Sequence, residues 1–338
     1  MELATPLANP LRLIEYMKSI YYDYNPICSY RQPIKMIVGG EGIGKTYGLK
    51  ERLLRLRDES EEPFEIMWFI RYDVDITPIY IQKWQDDLPI DIKQRITVDG
   101  QILKVDGEPF CYFKALSKFI VGKGIPYPNV KHCVFDEFIL DKDSRYLPNE
   151  IFAFKRWTQS VFRLRKVSWW LMANSLSFDN PYFNYFKVKK EKDKEWFSND
   201  KVVVHFPKSN KNFKKVAMQA DYYRLFNDDE TMRYGLDGEF YFDNEEFISS
   251  QPFASQPKFN LKVNKNVYGL WSNKETFWLS SSPCPKLKTY AIDRADTNTS
   301  TIYIAQIKRI LQEMYSGGHL YFHNLTIKNE FLEKIKCL

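Results

Sequence analysis

Cysteine is scarce and never paired. Five residues, Cys28, Cys111, Cys133, Cys284 and Cys337, lie far apart with no C-x-x-C among them. An odd and scattered set argues against a disulfide framework or zinc knuckle and fits a reducing compartment. Long apolar runs are missing too. None reaches the roughly 18 residues of a membrane span, and the opening residues carry no signal-peptide pattern. Glycine is sparse, 14 in 338 residues. There is no internal repeat and no low-complexity segment beyond a local bias towards lysine.

What is present is the composition of a globular protein with a high aromatic share, 16%. The length leaves room for about two domains, or for one large α/β domain. The formal net charge is only +6, and it is unevenly placed. Residues 187–215 hold ten Lys against four Asp and Glu, an excess equal to the charge of the whole chain. Basic stretches can meet nucleic acid, but a mixed charged run is more often a solvated linker. The expected organisation is therefore a domain over 1–195, a basic linker over 196–228 and a smaller domain over 229–338.

In the first of these, strand and helix patterns alternate. "NPLRLIEYMKSIYYDY" spaces Leu13, Tyr16, Met17 and Ile20 on one helical face. "IKMIV" (34–38) and "EIMWFIRY" (65–72) read as buried strands, with a helix predicted after Pro78. "RITVDGQILKVDGEPFCYFKAL" alternates around two Asp-Gly turns, the signature of hairpins. "VKHCVFDEF" (130–138) and "VSWWLMANS" (167–175) are further strands, separated by the helical "PNEIFAFKRWTQSVFRLR". This alternation predicts a parallel sheet flanked by helices. Beyond 187 come short aromatic strands, "GEFYFD", "VYGLWS", "TFWLS" and "LYFHNLTI", with helices predicted over 301–315 and 328–337. That texture predicts a smaller α+β domain.

The chemistry begins at "VGGEGIGKTYG" (38–48), which satisfies G-x-x-x-x-G-K-[ST] between a strand and a helix. Such a loop curls backbone N–H groups around phosphate oxygens, and the helix N-terminus adds its dipole. Lys45 is expected at the β- and γ-phosphates and the Thr46 hydroxyl on Mg²⁺. The nucleotide-binding stretch comprises Gly39, Gly40, Glu41, Gly42, Ile43, Gly44, Lys45, Thr46 and Tyr47. About ninety residues on, "CVFDEF" ends a candidate neighbouring strand in two acids. Asp136 suits Mg²⁺, and Glu137 suits the deprotonation of an attacking water. Adjacent strand-end acids favour an ATPase over a GTPase switch, whose base-reading N-K-x-D motif is absent.

Asn174, closing the next strand, can report the γ-phosphate or simply make a turn. Arg163 and Arg165 follow a helix. Either could serve a neighbouring subunit as an arginine finger, or complement the helix dipole.

"GGEGIGKTYGLK", "PYPNVKHCVFDEFI", "DSRYLPNE", "VFRLR" and "NPYFNYF", in that order over residues 30–190, resemble the DNA-packaging motor ATPases of small short-tailed phages with protein-primed linear genomes. The resemblance implies a P-loop ring ATPase of the additional-strand, catalytic-glutamate class. It implies ATP and Mg²⁺ at the loop and Asp136, with Glu137 as catalytic acid. Arg163 becomes the finger acting in trans, and Lys123 a second trans-acting cation or a solvated loop lysine. Lys142 and Arg145 are implied as contacts to double-stranded DNA, or as ordinary surface-turn residues. The same resemblance implies a homopentamer on the portal vertex of an empty capsid in the host cytoplasm, with a structural RNA as a possible further partner. It also implies a C-terminal RNase H-like domain that has lost its nuclease site. The carboxylates there, Asp237, Asp243, Glu245, Glu246, Asp293 and Asp296, form no pattern that demands two metals, and His319 and His323 read as structural. Two alternatives stand beside the motor: a terminase-like enzyme with an active nuclease, and a nucleotide-dependent assembly protein on nucleic acid.

Overall fold

A computed structural model describes residues 20–121, 125–141, 144–190, 194–226, 232, 234–236, 238–240, 247–249, 256–273 and 275–335. The chain divides into two compact units and passes between them five times. Residues 1–139, 152–176 and 188–241 make the first; residues 140–151, 177–187 and 242–338 make the second.

The first unit is built on a nine-stranded sheet of described strands. In chain order these are β1 (Ile34–Gly39), β2 (Glu65–Ile70), β3 (Ile96–Asp99), β4 (Ile102–Val105), β5 (Glu108–Ala115), β6 (Val130–Asp136), β7 (Trp169–Asn174), β8 (Trp196–Ser198) and β9 (Val202–His205). Their order across the sheet is β3-β4-β5-β2-β6-β7-β1-β9-β8. The six strands from β5 to β9 run parallel, and their near-continuous apolar sequences suit burial on both faces. β3, β4 and β5 form the expected antiparallel meander. Its Asp-Gly turns hold Gly100 at φ 59 and Gly107 at φ 83. β6 is not the neighbour of β1: β7 lies between them.

Two helices frame the site in this unit. α1 (Lys45–Asp58) follows β1 directly and buries Leu49, Leu53 and Leu54 against the sheet, residues one helical turn apart. α2 (Pro78–Asp86) begins where Thr77 accepts a hydrogen bond from the Tyr80 N–H at 3.1 Å, with Pro78 at its first position. α3 (Glu150–Phe162) precedes β7.

The linker expected over 196–228 is corrected here. Val202, Val203 and Val204 are fully buried in β9, which pairs in parallel with β1, and β8 closes the edge beside it. Three β-branched residues filling a strand slot outweigh the lysines that surround them. Beyond β9, α5 (Lys211–Ala217) packs Phe213 and Ala217 with Ile20, Ile43 and Leu236 in a small separate core. The short helix α4 (Pro181–Phe186), earlier in the chain, belongs to the second unit.

The second unit carries a mixed six-stranded sheet, in the order β14-β13-β10-β11-β12-β15 among the described strands. These are β10 (Gln256–Val263), β11 (Asn266–Ser272), β12 (Phe277–Leu279), β13 (Thr289–Ala291), β14 (Thr301–Tyr303) and β15 (Leu320–Phe322). Helices α6 (Ala305–Ser316) and α7 (Leu325–Ile335) complete it. "LYFHNLTI" was expected to be strand throughout, yet it is strand only to Phe322. Asn324 then accepts from the Ile327 N–H at 3.0 Å and turns the chain into α7. Residues 301–303 likewise pair as β14 with β13 before α6 begins. Of "GEFYFD", residues 238–240 are not strand, and the remainder lies outside the described residues. The opening helix reading over 9–24 falls mostly outside them as well.

Segments 140–151 and 177–187 are held in the second unit by deep polar contacts. Glu150, fully buried, accepts from Tyr182 Oη at 2.9 Å and from the Leu147 N–H at 2.9 Å. Lys328 Nζ meets Asp179 Oδ2 at 3.4 Å, with both side chains largely buried. His319 Nε2 accepts from the Asn149 N–H at 2.8 Å, and burial lowers its pKa, in keeping with a structural imidazole. His323 packs edge-on against Trp278 at 5.8 Å, and the two histidines hold no common site.

Candidate nucleotide site

The first unit places its polar residues where three adjacent parallel strands end. β1 ends in Gly39, β7 in Asn174 and β6 in Asp136. The C-terminal edge of a parallel sheet is where ligands of α/β proteins collect. Here it opens into a cleft of about 530 Å³, whose lining includes Lys45, Thr46, Asp136, Glu137 and Asn174.

The loop from Gly39 to Thr46 takes its shape from its glycines. Gly44 caps α1 at φ 82, a left-handed conformation that side chains resist. At Gly40 the reason is space, since a Cβ would lie 2.4 Å from the Gly235 carbonyl oxygen. Ile43 is buried in the small core with Ile20 and Phe213, so it anchors the loop rather than facing a ligand. Glu41 and Gly42 stay exposed.

Lys45 is buried, and its ammonium donates to the carbonyls of Gly39 (3.0 Å) and Gly40 (2.6 Å) and to Asn174 Oδ1 (2.9 Å). Burial pulls its pKa down to about 8, against the opposing pull of Asp136 and Glu41. The Thr46 hydroxyl donates to Asp136 Oδ2 at 3.0 Å. Asp136 is pushed up to about 6, first by burial and then by the neighbouring Glu137, against the hydrogen bond from Thr46 and the charge of Lys45. Two hard oxygen donors in contact, one of them an under-neutralised carboxylate, are a donor set that suits Mg²⁺.

Glu137 sits exposed at the cleft with φ 56, a conformation uncommon outside glycine. Its N–H donates to Asp136 Oδ1 at 3.1 Å. The turn is braced from β2 by Arg71, which is buried. Arg71 donates to the carbonyls of Glu137 (3.3 Å) and Phe138 (2.9 Å) and lies over the Phe135 ring at 5.1 Å. Sequence reasoning missed Arg71. An arginine directly after the apolar run 66–70 was the available signal, but its described hydrogen-bond partners are backbone carbonyls, which have no sequence signature.

The two arginines after α3 separate cleanly. Arg165 gives its guanidinium to the carbonyls of Tyr127 (2.6 Å), Val130 (3.1 Å), Pro128 and Val161, so it ties the turn to the segment before β6. Arg163 is exposed at φ 49, and its side chain has no hydrogen bond or ion pair among the described residues. Leu164 beside it is fully exposed at 104%. Arg145 is exposed in the part of the second unit formed by residues 140–151. Lys123 and Lys142 lie outside the described residues, as do Asp237, Asp243, Glu245 and Glu246. Asp293 and Asp296 flank Lys334 Nζ, at 3.8 and 3.6 Å, and Asp296 also accepts from the Asn264 N–H.

The chain is similar to known proteins along most of its length. The sequence model of the family described as "Podovirus DNA encapsidation protein (Gp16)" matches residues 16–336. The chain is 28% identical over 333 residues to a DNA packaging protein of Bacillus phage phi29, covering 92% of this chain and 96% of that one. It is 27% identical over 323 residues to a DNA packaging protein of Bacillus phage B103, covering 91% and 99%. Among solved structures, the bacteriophage phi29 viral genome packaging motor assembly aligns with a TM-score of 0.56 at 24% identity, over 94% of this chain and all of that one. The N-terminal domain of the phi29 DNA packaging ATPase aligns at 0.52 and 28% identity, over 57% of this chain and 99% of that one.

Proposed function

From a chain that belongs to the podovirus DNA encapsidation protein (Gp16) family, we propose an ATPase that drives double-stranded viral DNA into a preformed capsid as a homomeric ring. The observation that carries the reading is the convergence of Lys45, Thr46, Asp136, Glu137 and Asn174 on one cleft at three neighbouring strand ends. The insertion of β7 between the loop strand and the acidic strand supports the additional-strand class.

In this reading the triphosphate of ATP is the substrate. Loop amides and Lys45 take its β- and γ-phosphates, and Lys45 exchanges its carbonyl partners for phosphate oxygens. Thr46 and Asp136 would hold Mg²⁺, which when bound neutralises charge on the phosphate oxygens. The Glu137 carboxylate accepts the proton of the attacking water, and its fixed backbone keeps it aimed at the cleft. Asn174, already on Lys45, is placed to exchange that contact for the γ-phosphate or the water. Arg163 serves a neighbouring copy as finger, supported by its exposure and by the lack of a side-chain hydrogen bond or ion pair among the described residues. Arg165 comes second for that role, since its guanidinium already serves four carbonyls.

Lys123 is read as a second trans-acting cation, and Lys142 and Arg145 as phosphate contacts to DNA in the ring's channel. The ring is taken to be a pentamer on the portal vertex in the host cytoplasm. The second unit is read as a former nuclease that does not cut, which is supported by Lys334 between Asp293 and Asp296.

The test is ATP turnover with and without double-stranded DNA, on the wild type and on Glu137→Gln. Expected is DNA-stimulated turnover by a multimer, with Glu137→Gln binding ATP normally but hydrolysing it slower by orders of magnitude. Binding without turnover in the wild type favours the assembly protein, and metal-dependent DNA cleavage favours the terminase-like enzyme.

A further inference from the structure

The cleft extends beyond what a triphosphate needs. Its volume of about 530 Å³ lies in the range of a whole small-molecule ligand, and its lining beyond the glycine loop and the strand ends includes Tyr21, Tyr47 and Asp87. Lys45, the N-terminus of α1, Thr46 and Asp136, the groups suited to phosphate and Mg²⁺, stand together at one end. Tyr21 and Tyr47 are aromatic and Asp87 is already paired with Lys50, so the part of the ligand that meets them is its uncharged part. That part is the nucleoside.

Tyr21 and Asp87 are held in place before any ligand arrives. Tyr21 is fixed from both sides: the Tyr22 N–H donates to the Ile43 carbonyl at 2.8 Å, and the Ile20 carbonyl accepts from Asn210 Nδ2 at 2.7 Å. Its ring lies against Gly44, where a Cβ would come within 2.9 Å of Tyr21 Cδ1. Tyr47 follows Thr46 on α1 and is partly buried near Tyr21 and Asp87. Among the described residues, neither tyrosine hydroxyl has a hydrogen-bond partner. Asp87 is set by Lys50, whose buried ammonium meets Asp87 Oδ1 at 3.1 Å and donates to the Trp84 carbonyl at 2.6 Å. Two aromatic rings on the cleft wall, and a carboxylate able to accept, suit a planar base with donor groups.

We infer that Tyr21 and Tyr47 form the base platform of the nucleotide cleft, with Asp87 accepting a hydrogen bond from the nucleoside. The inference rests on the phosphate-site reading above. Stacking uses the π-face that every base has, so the platform gives affinity and leaves selection to Asp87.

The experiment compares binding of ATP and of inorganic tripolyphosphate, each with Mg²⁺, by calorimetry. It uses wild type, Lys45→Ala, Tyr21→Ala, Tyr21→Phe and Tyr47→Ala. Expected for Tyr21→Ala and for Tyr47→Ala is a loss of ATP affinity of about tenfold or more with tripolyphosphate binding unchanged. Tyr21→Phe, which keeps the ring, should bind ATP like wild type. Equal losses for both ligands, or no loss for ATP, overturn the platform. Tyr47→Ala reads the same subsite if Tyr21→Ala fails to fold. The two readings fail separately. Tripolyphosphate binding that depends on Lys45, beside unaltered ATP binding by both alanine variants, sinks the platform alone. A Lys45→Ala protein that binds both ligands like wild type overturns the phosphate site and the platform with it.

Discussion

At the scale of single residues, Asp136 carries a cost that its proposed role at Mg²⁺ explains. Its carboxylate has lost water and faces Glu137, so its pKa rises from 3.8 to about 6. The folded state then holds a proton that the unfolded state has released, and stability falls as pH climbs between those two values. Above pH 6 the loss is complete. Asp136→Asn removes the charge and should raise the ligand-free stability at pH 7–8 by about 2 kcal/mol, with no gain at pH 3.5. The same change should abolish turnover, because a neutral amide is a poor partner for Mg²⁺. Thermal melts at the two pH values, read beside ATPase rates, check this. A lower melting temperature at pH 8 would mean that Thr46 and Lys45 outweigh burial.

At the scale of elements, the decisive neighbour of the phosphate loop is β9, a strand that its own surroundings disguise. Val203 is fully buried there, one strand away from the loop. Val203→Thr keeps the shape but buries a hydroxyl, and should cost about 1–3 kcal/mol in urea unfolding. Lys201→Thr, at an exposed position just before it, should stay within about 0.5 kcal/mol. Equal and negligible effects would restore the linker reading. The contrast explains what could be read beforehand. The loop from Gly39 to Thr46 and the acids after "CVF" are contiguous, and their chemistry is written in neighbouring letters. Strand order is not: that β7 lies between β1 and β6 depends on pairings between distant segments. "VVVH" is too short to outweigh ten lysines in a pattern count. Arg71 acts on backbone, and Asn324 stops a strand with a cap whose partner N–H is three residues on.

At the scale of the whole molecule, the chain leaves the first unit within three residues of Asp136 and again within three of Asn174, entering the second unit each time. The groups that would sense the γ-phosphate are thus in short covalent connection with the second unit, as a motor needs. The proposed ring turns on Arg163. A finger acts where charge grows on the transferring phosphoryl group, so its loss costs rate far more than affinity. Arg163→Ala should bind ATP nearly as wild type and melt at the same temperature, yet hydrolyse slower by about three orders of magnitude or more. Arg165→Ala should instead lower the melting temperature, since it frees four carbonyls. Mixing Arg163→Ala with Lys45→Ala subunits then tests action in trans. Each variant alone is inactive, but a mixed ring contains interfaces where an intact phosphate loop faces an intact arginine. Turnover should return on mixing, scaling with the fraction of such interfaces. An Arg163→Ala protein with wild-type DNA-stimulated turnover would remove this residue from the mechanism, and with it the strongest reason in the first unit for a neighbouring copy.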